Sequence, residues 1–240
     1  MVVKKLVFLL LVVVTSTAWA QEESKKVSRP NIPGVFILDL GVNRGLSKPD
    51  LFKQGFWGSR TLNLYYQYPI RIGKSKFSLS PAVGFSMERF KFTNRAVLYD
   101  AIETTSPIEQ YNFVAGSTLF PNVKKSMLVA NYLEAPVEFR YDTRPNDRAR
   151  SFSVALGGRI GVLASSTMKV KYRKDGHNEI FKDKQPYGLN PIRYGVYARL
   201  GIGGFNWFAF YNLSEMFEKD KGPSGTTMNS MTLGISIASF

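Results

Sequence analysis

From about residue 35 onward, apolar residues alternate with small or polar ones, and a helical period is nearly absent. A period of two gives each segment one greasy face and one polar face, which is how a half-buried strand reads. Residues 35–43 place Phe36, Leu38, Leu40 and Val42 opposite Asp39, Gly41 and Asn43. Residues 61–72 place Leu62, Leu64, Tyr66, Tyr68, Ile70 and Ile72 opposite Asn63, Tyr65, Gln67 and Arg71. Residues 77–87 set Phe77, Leu79, Val83, Phe85 and Met87 against Ser78, Ser80, Ala82, Gly84 and Ser86. The same pattern runs through 129–141, 152–164, 192–202 and 231–237, while 207–217 carries aromatics on both faces. These eight segments are of the length, roughly 9–11 residues, that a tilted strand needs to cross a bilayer.

The connections alternate in length. Short ones fall at 73–75, 144–148 and 203–206; long ones at 45–55, 94–125, 174–186 and 218–227. Strict alternation predicts an all-β fold, an antiparallel up-and-down transmembrane β-barrel of eight strands. Its termini and short turns would lie in the periplasm and its long loops outside the cell. The 94–125 loop has room for a further hairpin, with 111–120 as its candidate, so ten strands stay open beside eight.

A soluble eight-stranded barrel also alternates, with its apolar face turned inward. The make-up of the polar face separates the two. Here that face is rich in Gly, Ser, Ala and Asn and nearly free of Lys, which gathers in loops and strand extensions. Its charges are of both signs: Asp39, Glu134 and Glu138 against Arg71, Arg140, Arg159, Arg193 and Arg199. Such a face fits a narrow bore filled by paired side chains, where unpaired charges would be costly. Aromatic girdles are expected from Tyr68, Phe77, Phe139, Tyr141, Phe152 and Trp207 at the short-turn end. Phe56, Trp57, Phe90 and Phe92 would form the other at the long-loop end. A terminal Phe240 is what such barrels present to the barrel-insertion machinery, although 237–240 breaks the parity of the preceding strand.

The N-terminus changes the picture in one respect. Lys4 and Lys5 precede an apolar run at 6–14, and Thr17-Ala18-Trp19-Ala20 offers small residues before a cleavage site. That is a signal peptide, too short for a spanning helix. The expected layout is residues 1–20 signal peptide with cleavage after Ala20, 21–33 a short periplasmic segment, and 34–240 an outer-membrane barrel. The chain has no Cys, so neither a lipid-attachment cysteine nor a disulfide framework is expected. Formal net charge is +14, and removing Lys4 and Lys5 leaves 14 − 2 = +12. The basic residues Arg89, Lys91, Arg95, Lys124, Lys125, Lys169, Lys171 and Arg173 would lie just outside the lipid band. There they read either as solvated loop charge or as a contact for the phosphates of outer-membrane lipid, lipopolysaccharide above all. An exported barrel has little occasion to meet nucleic acid.

Catalytic chemistry finds little purchase. The single histidine, His177, falls in the Lys174-Asp175-Gly176-His177-Asn178 stretch, which reads as a solvated turn. A barrel hydrolase needs a His beside a Ser and a carboxylate on the strand walls. One His and no Cys leave no cluster of metal-ligand spacing, and Gly201-Ile202-Gly203-Gly204 lacks the spacing of a nucleotide loop. No cofactor is expected. The inward charges read first as a structural network that fixes register and blocks the bore, and second as a gated polar pore.

With the strands placed, a resemblance appears. Tyr132-Leu133-Glu134-Ala135-Pro136-Val137-Glu138-Phe139-Arg140-Tyr141 resembles a "YLE-x-P" strand of small barrels from Bacteroidota-type Gram-negative bacteria, often labelled PorT-like. Asn190-Pro191-Ile192-Arg193-Tyr194-Gly195, with Ala198-Arg199-Leu200-Gly201, is similar to their sixth strand. Phe210-Tyr211-Asn212-Leu213-Ser214-Glu215-Met216-Phe217, then Lys221-Gly222-Pro223, resembles their penultimate strand and loop. The match runs from about Ala130 to the C-terminus and is specific to a fold family, not to an activity. PorT itself serves a secretion system. The resemblance and the residues together imply a non-enzymatic structural, interaction or assembly component, with a possible protein partner in the outer membrane. A narrow porin-like channel is the alternative, and a lipid-modifying barrel enzyme the more distant one.

Overall fold

A computed structural model describes residues 34–101, 110–223 and 227–239. The expected signal peptide, its cleavage after Ala20, the 21–33 segment and Phe240 lie outside the described residues. The strands are β1 (Val35–Leu46), β2 (Arg60–Gln67), β3 (Ile70–Arg71), β4 (Phe77–Phe92), β5 (Ala96–Ala101), β6 (Gln110–Ala115), β7 (Val123–Asp142), β8 (Phe152–Lys174), β9 (His177–Asp183), β10 (Ile192–Ile202), β11 (Phe205–Asn212) and β12 (Asn229–Ala238). A single helical turn, α1 (Gly116–Leu119), follows β6.

Eight of these strands form a closed antiparallel ring in the order β1-β2-β4-β7-β8-β10-β11-β12. It is sealed by β12 pairing with β1, Leu40 opposite Ile235. All eight predicted segments are the ring strands. The loop hairpin is real but separate: β5 and β6 pair only with each other, so the ring stays at eight. β3 continues β2 beyond the break at Pro69, which has no N–H to give to the ladder. Two-residue connections tighten two hairpins: Gly203, at φ +57°, leads the β10–β11 turn, and Asp175-Gly176, at φ +47° and +81°, join β8 to β9. The latter corrects the reading of 174–186 as a plain loop.

The outward face of the ring is an apolar belt. Leu64, Phe85, Leu156 and Ile202 are each about half exposed or more, against Asn63, Ser86 and Glu138 almost wholly enclosed. An inside-out distribution of this kind is what a hydrocarbon solvent selects.

Above the belt, at the long-loop end, the chemistry of the two faces reverses. In β4 the inward positions run Ser78, Ser80, Ser86, Glu88 and then turn apolar at Phe90 and Phe92, while the outward ones turn from Phe85 and Met87 to Arg89 and Lys91. In β8 the reversal is helped by a β-bulge. Asn131 pairs with Ser165 and Tyr132 with Leu163, so Ala164 is one residue too many. The extra residue swaps the faces of the strand. Arg159 and Gly161 point inward below it, and Met168 and Val170 above it. The predicted strand ended at this bulge, where the alternation changes parity.

These inward apolar groups build a core that roofs the bore. Phe52, Phe90, Phe92, Phe113, Leu128 and Met168 are among its members, and Phe52 meets Phe90, Phe92 and Phe113 edge-on at 5.1–5.7 Å. Each long connection contributes to it, including Tyr187 and Leu189 before β10 and Met216 and Phe217 after β11. Phe90 and Phe92 are therefore not girdle residues, because their parity turns them inward, at 0% and 1% exposure. The 207–217 segment is corrected likewise. β11 ends at Asn212 and Met216-Phe217 leave the sheet for this core. The aromatics on both faces of β11 are Trp207 and Tyr211 outside, Phe208 and Phe210 inside.

Candidate functional site

Five carboxylates and four guanidinium groups are enclosed within the described residues: Asp39, Glu88, Glu134, Glu138 and Asp142 with Arg140, Arg159, Arg193 and Arg199. Burying a charge is tolerable only when partners replace the lost water. The strands supply those partners from opposite walls.

The upper cluster centres on Glu134 of β7. Arg193 of β10 reaches one oxygen of Glu134 through Nε at 2.7 Å and Nη2 at 2.5 Å, and stands 2.8 Å from Glu88 on β4. It also donates to Ser86 Oγ at 2.7 Å and lies over the Tyr132 ring at 3.8 Å. The other Glu134 oxygen accepts a hydrogen bond from the Tyr65 hydroxyl of β2. Arg159 of β8 completes the cluster, 3.4 Å from Glu134 and donating to Tyr65 at 2.8 Å. Its guanidinium rests on the Phe210 ring, 3.3 Å from the centroid. Six ring strands, β2, β4, β7, β8, β10 and β11, converge on this cluster.

The lower cluster centres on Glu138, two residues along the same face. Arg199 of β10 is 2.6 Å from Glu138 and 3.2 Å from Asp39 on β1, tying two walls together. Arg140 is 3.8 Å from Glu138, 3.1 Å from Asp142 and donates to Ser153 at 2.9 Å. Between the clusters, beside Tyr65, Tyr197, Phe208 and Phe210, the remaining void is about 10 Å³. That is scarcely space for one water. Large inward rings need glycine beside them, and a Cβ on Gly195 would collide with Phe210 and the Tyr211 carbonyl.

Of the eight residues expected in the bore, the structure brings seven together and leaves Arg71 apart. Arg71 lies in β3, past Pro69 and at the short-turn rim, where it is exposed and donates to Asn146 Oδ1 at 2.7 Å and to the Ser75 carbonyl at 2.8 Å. Sequence reasoning missed Glu88 and Asp142. Each lies one residue beyond the predicted end of its strand, and carrying the parity of Ser86 and of Arg140 one step further places both inward. It also treated Tyr65 as a plain polar-face residue and passed over Tyr132 and Tyr197.

The long-loop end carries the second feature. Arg89 and Lys91 of β4, Lys125 of β7, and Lys169 and Lys171 of β8 lie on neighbouring strands, Lys125 opposite Lys171. Burial, and then the like charges of Lys91, Arg89, Lys169 and Lys171, hold the Lys125 ammonium below its ordinary pKa. Beyond them β9 stands exposed along nearly its whole length, with Ile180 and Phe181 open and His177 at the tip of its hairpin with β8.

Comparison with known proteins bears on this architecture. Ail, the attachment invasion locus protein of Yersinia pestis, has 16% identity over 87% of this chain and 100% of its own, with a TM-score of 0.38. Neisserial surface protein A has 12% identity over 86% and 96%, with a TM-score of 0.36. No curated protein matches the chain. A family model described as outer membrane protein beta-barrel domain matches residues 20–215, most of the chain and nearly all of the ring. With its eight-strand ring, apolar exterior and ion-paired interior, the chain belongs to that outer-membrane β-barrel family.

Proposed function

We propose that this protein is a non-enzymatic interaction or assembly component of the outer membrane, working through its long-loop end and not through its bore. The observation that carries the reading is the double closure of that bore. Ion pairs fill it at membrane height, and the apolar roof over Phe90, Leu128 and Met168 closes it above. What is left to meet other molecules is the outer surface. The basic face of β4, β7 and β8 stands where the phosphates of lipopolysaccharide would lie, and lipid phosphate is its natural counter-charge. The β8–β9 hairpin offers exposed apolar groups and strand edge to a protein partner. The PorT-like sequence of 132–141 agrees with a role beside a secretion system.

Crosslinking from native outer membranes tests this. A crosslinker at Lys182, on β9, is expected to capture a discrete protein, and one at Lys74, in the first short turn, is not. Repeated recovery of the barrel alone from both positions would end the proposal. Purified protein is expected to leave a planar bilayer silent. A steady conductance would instead favour the narrow channel.

A further inference from the structure

The outward face opposite the basic strands is not a uniform belt. Across β10, β11, β12, β1 and β2 one row of paired positions reads Ala198, Ala209, Leu233, Val42, Arg60. Two alanines side by side on neighbouring strands leave a hollow between bulkier outward groups. The row on its short-turn side is bulky, Leu200, Trp207, Ile235 and Leu40. On its long-loop side the connection between β1 and β2 overhangs it with Phe56 and Trp57, packed edge-on at 5.0 Å. The concavity, open to the side, holds about 930 Å³ and is almost wholly apolar.

Its outer rim is cationic. Arg44 lies over the Phe56 ring at 5.1 Å, and Arg60 donates through Nε to the Trp57 carbonyl at 2.7 Å. Both side chains are exposed, and neither belongs to an ion pair among the described residues. Arg60 is held by one nitrogen, which leaves the two terminal nitrogens of its fork to meet an oxyanion. Trp57, at 74% exposure, presents a ring of the kind that anchors at a membrane interface.

We infer that this hollow is a lateral binding site for a phosphate-bearing acyl lipid. Acyl chains fill the alanine-floored groove, and the phosphate is held by Arg44 and Arg60 under the Phe56-Trp57 overhang. A groove without the arginines would take any alkyl chain, and the arginines without the groove would take any anion. Together they select one molecule that carries both. Arg60 pairs with Arg89 of β4, so the rim of the groove borders the basic face, while its alanine floor lies on β10 and β11, away from that face. The inference does not rest on the function proposed above.

Native mass spectrometry of the full barrel, released from a non-ionic detergent, tests it with three probes. Dipalmitoyl phosphatidic acid carries chains and phosphate, dipalmitoylglycerol the chains alone, and inorganic phosphate the anion alone. The phosphatidic acid is expected to bind saturably, one per barrel, about tenfold or more tighter than the diacylglycerol, with inorganic phosphate undetected. The Arg44→Gln/Arg60→Gln variant should lose that preference for phosphate. Ala209→Phe, a change on the lipid-facing side of a barrel checked for folding by its β-sheet circular dichroism, should lose both lipids. Lys169→Gln/Lys171→Gln, on the β8 extension across the ring from the groove, should bind as the parent does. Phosphatidic acid retained equally by all variants, or lost only with Lys169 and Lys171, would overturn the assignment.

Discussion

Glu134 is the carboxylate at the centre of the upper cluster, since Arg193, Arg159 and Tyr65 all meet it. Glu134→Gln leaves two enclosed guanidinium groups short of counter-charge, and breaking a buried pair costs about 3–5 kcal/mol. Arg71→Ala removes an exposed rim contact and should stay within about 0.5 kcal/mol. Urea unfolding of the vesicle-inserted protein compares them, and equal costs would mean that the enclosed cluster is not what holds the walls. Leu64 and Gln67 test the faces themselves. Leu64→Arg, near the middle of the belt, should cost about 2–4 kcal/mol, and less in a thinner bilayer. Gln67→Arg must fit beside a void of about 10 Å³, so its cost is one of packing and should not follow bilayer thickness. At this scale the sequence was readable wherever parity was clean, which is why seven of the expected bore residues meet. Arg71 was misread because it lies past the break at Pro69, at the rim of the ring, where inward parity no longer means enclosure.

At the scale of elements, two of the three turns at the short-turn end are set by glycine. Gly73 and Gly203 both have φ +57°, but a Cβ on Gly73 would meet open space and one on Gly203 would strike the Ala149 carbonyl. Gly73→Ala therefore isolates backbone strain, about 1–2 kcal/mol, and Gly203→Ala should cost more by the clash. Equal unfolding midpoints for the two variants would count against the steric part. The ring strands were legible because membrane strands alternate without interruption. The extensions of β4, β7 and β8 were not, because above the belt the inward positions become apolar and the outward ones charged. A reader expecting greasy-out, polar-in sees the pattern stop at Met87, although the strand continues to Phe92. β9, and the true bounds of the β5–β6 hairpin expected in the 94–125 loop, were hidden for a related reason: neither element crosses the membrane, so neither need show a lipid face.

At the scale of the molecule, the charge is unevenly placed. Inside, acids and arginines nearly balance. Outside, Arg89, Lys91, Lys125, Lys169 and Lys171 crowd one side of the long-loop end. For Lys125 the pKa in the folded state is lowered from the ordinary 10.5, so its protonated form opposes folding at neutral pH. That opposition is complete below the lowered value and gone once pH exceeds 10.5, where both states are neutral. Lys125→Met should accordingly raise the unfolding midpoint at pH 7 and leave it unchanged near pH 11, relative to the parent. A gain that persists at high pH would point to better packing instead of relieved repulsion. Added anionic lipid should shrink the neutral-pH gain, since phosphate would supply the missing counter-charge.

The supernumerary alanine in β8 works like a half-twist in a ribbon. Within β8, the stretch before Ala164 obeys the rules of a protein dissolved in oil, and the stretch after it obeys those of one dissolved in water. Deleting that single residue would put the 166–174 stretch back in phase with the membrane part, turning Met168 and Val170 out to solvent and Lys169 and Lys171 in against the roof. The cylinder should still insert and resist protease, while the projecting β8–β9 portion becomes readily cleaved. In this strand the two solvents are thus joined at one position, and the portion that projects outside can be lost or remade without disturbing the portion that holds it in place.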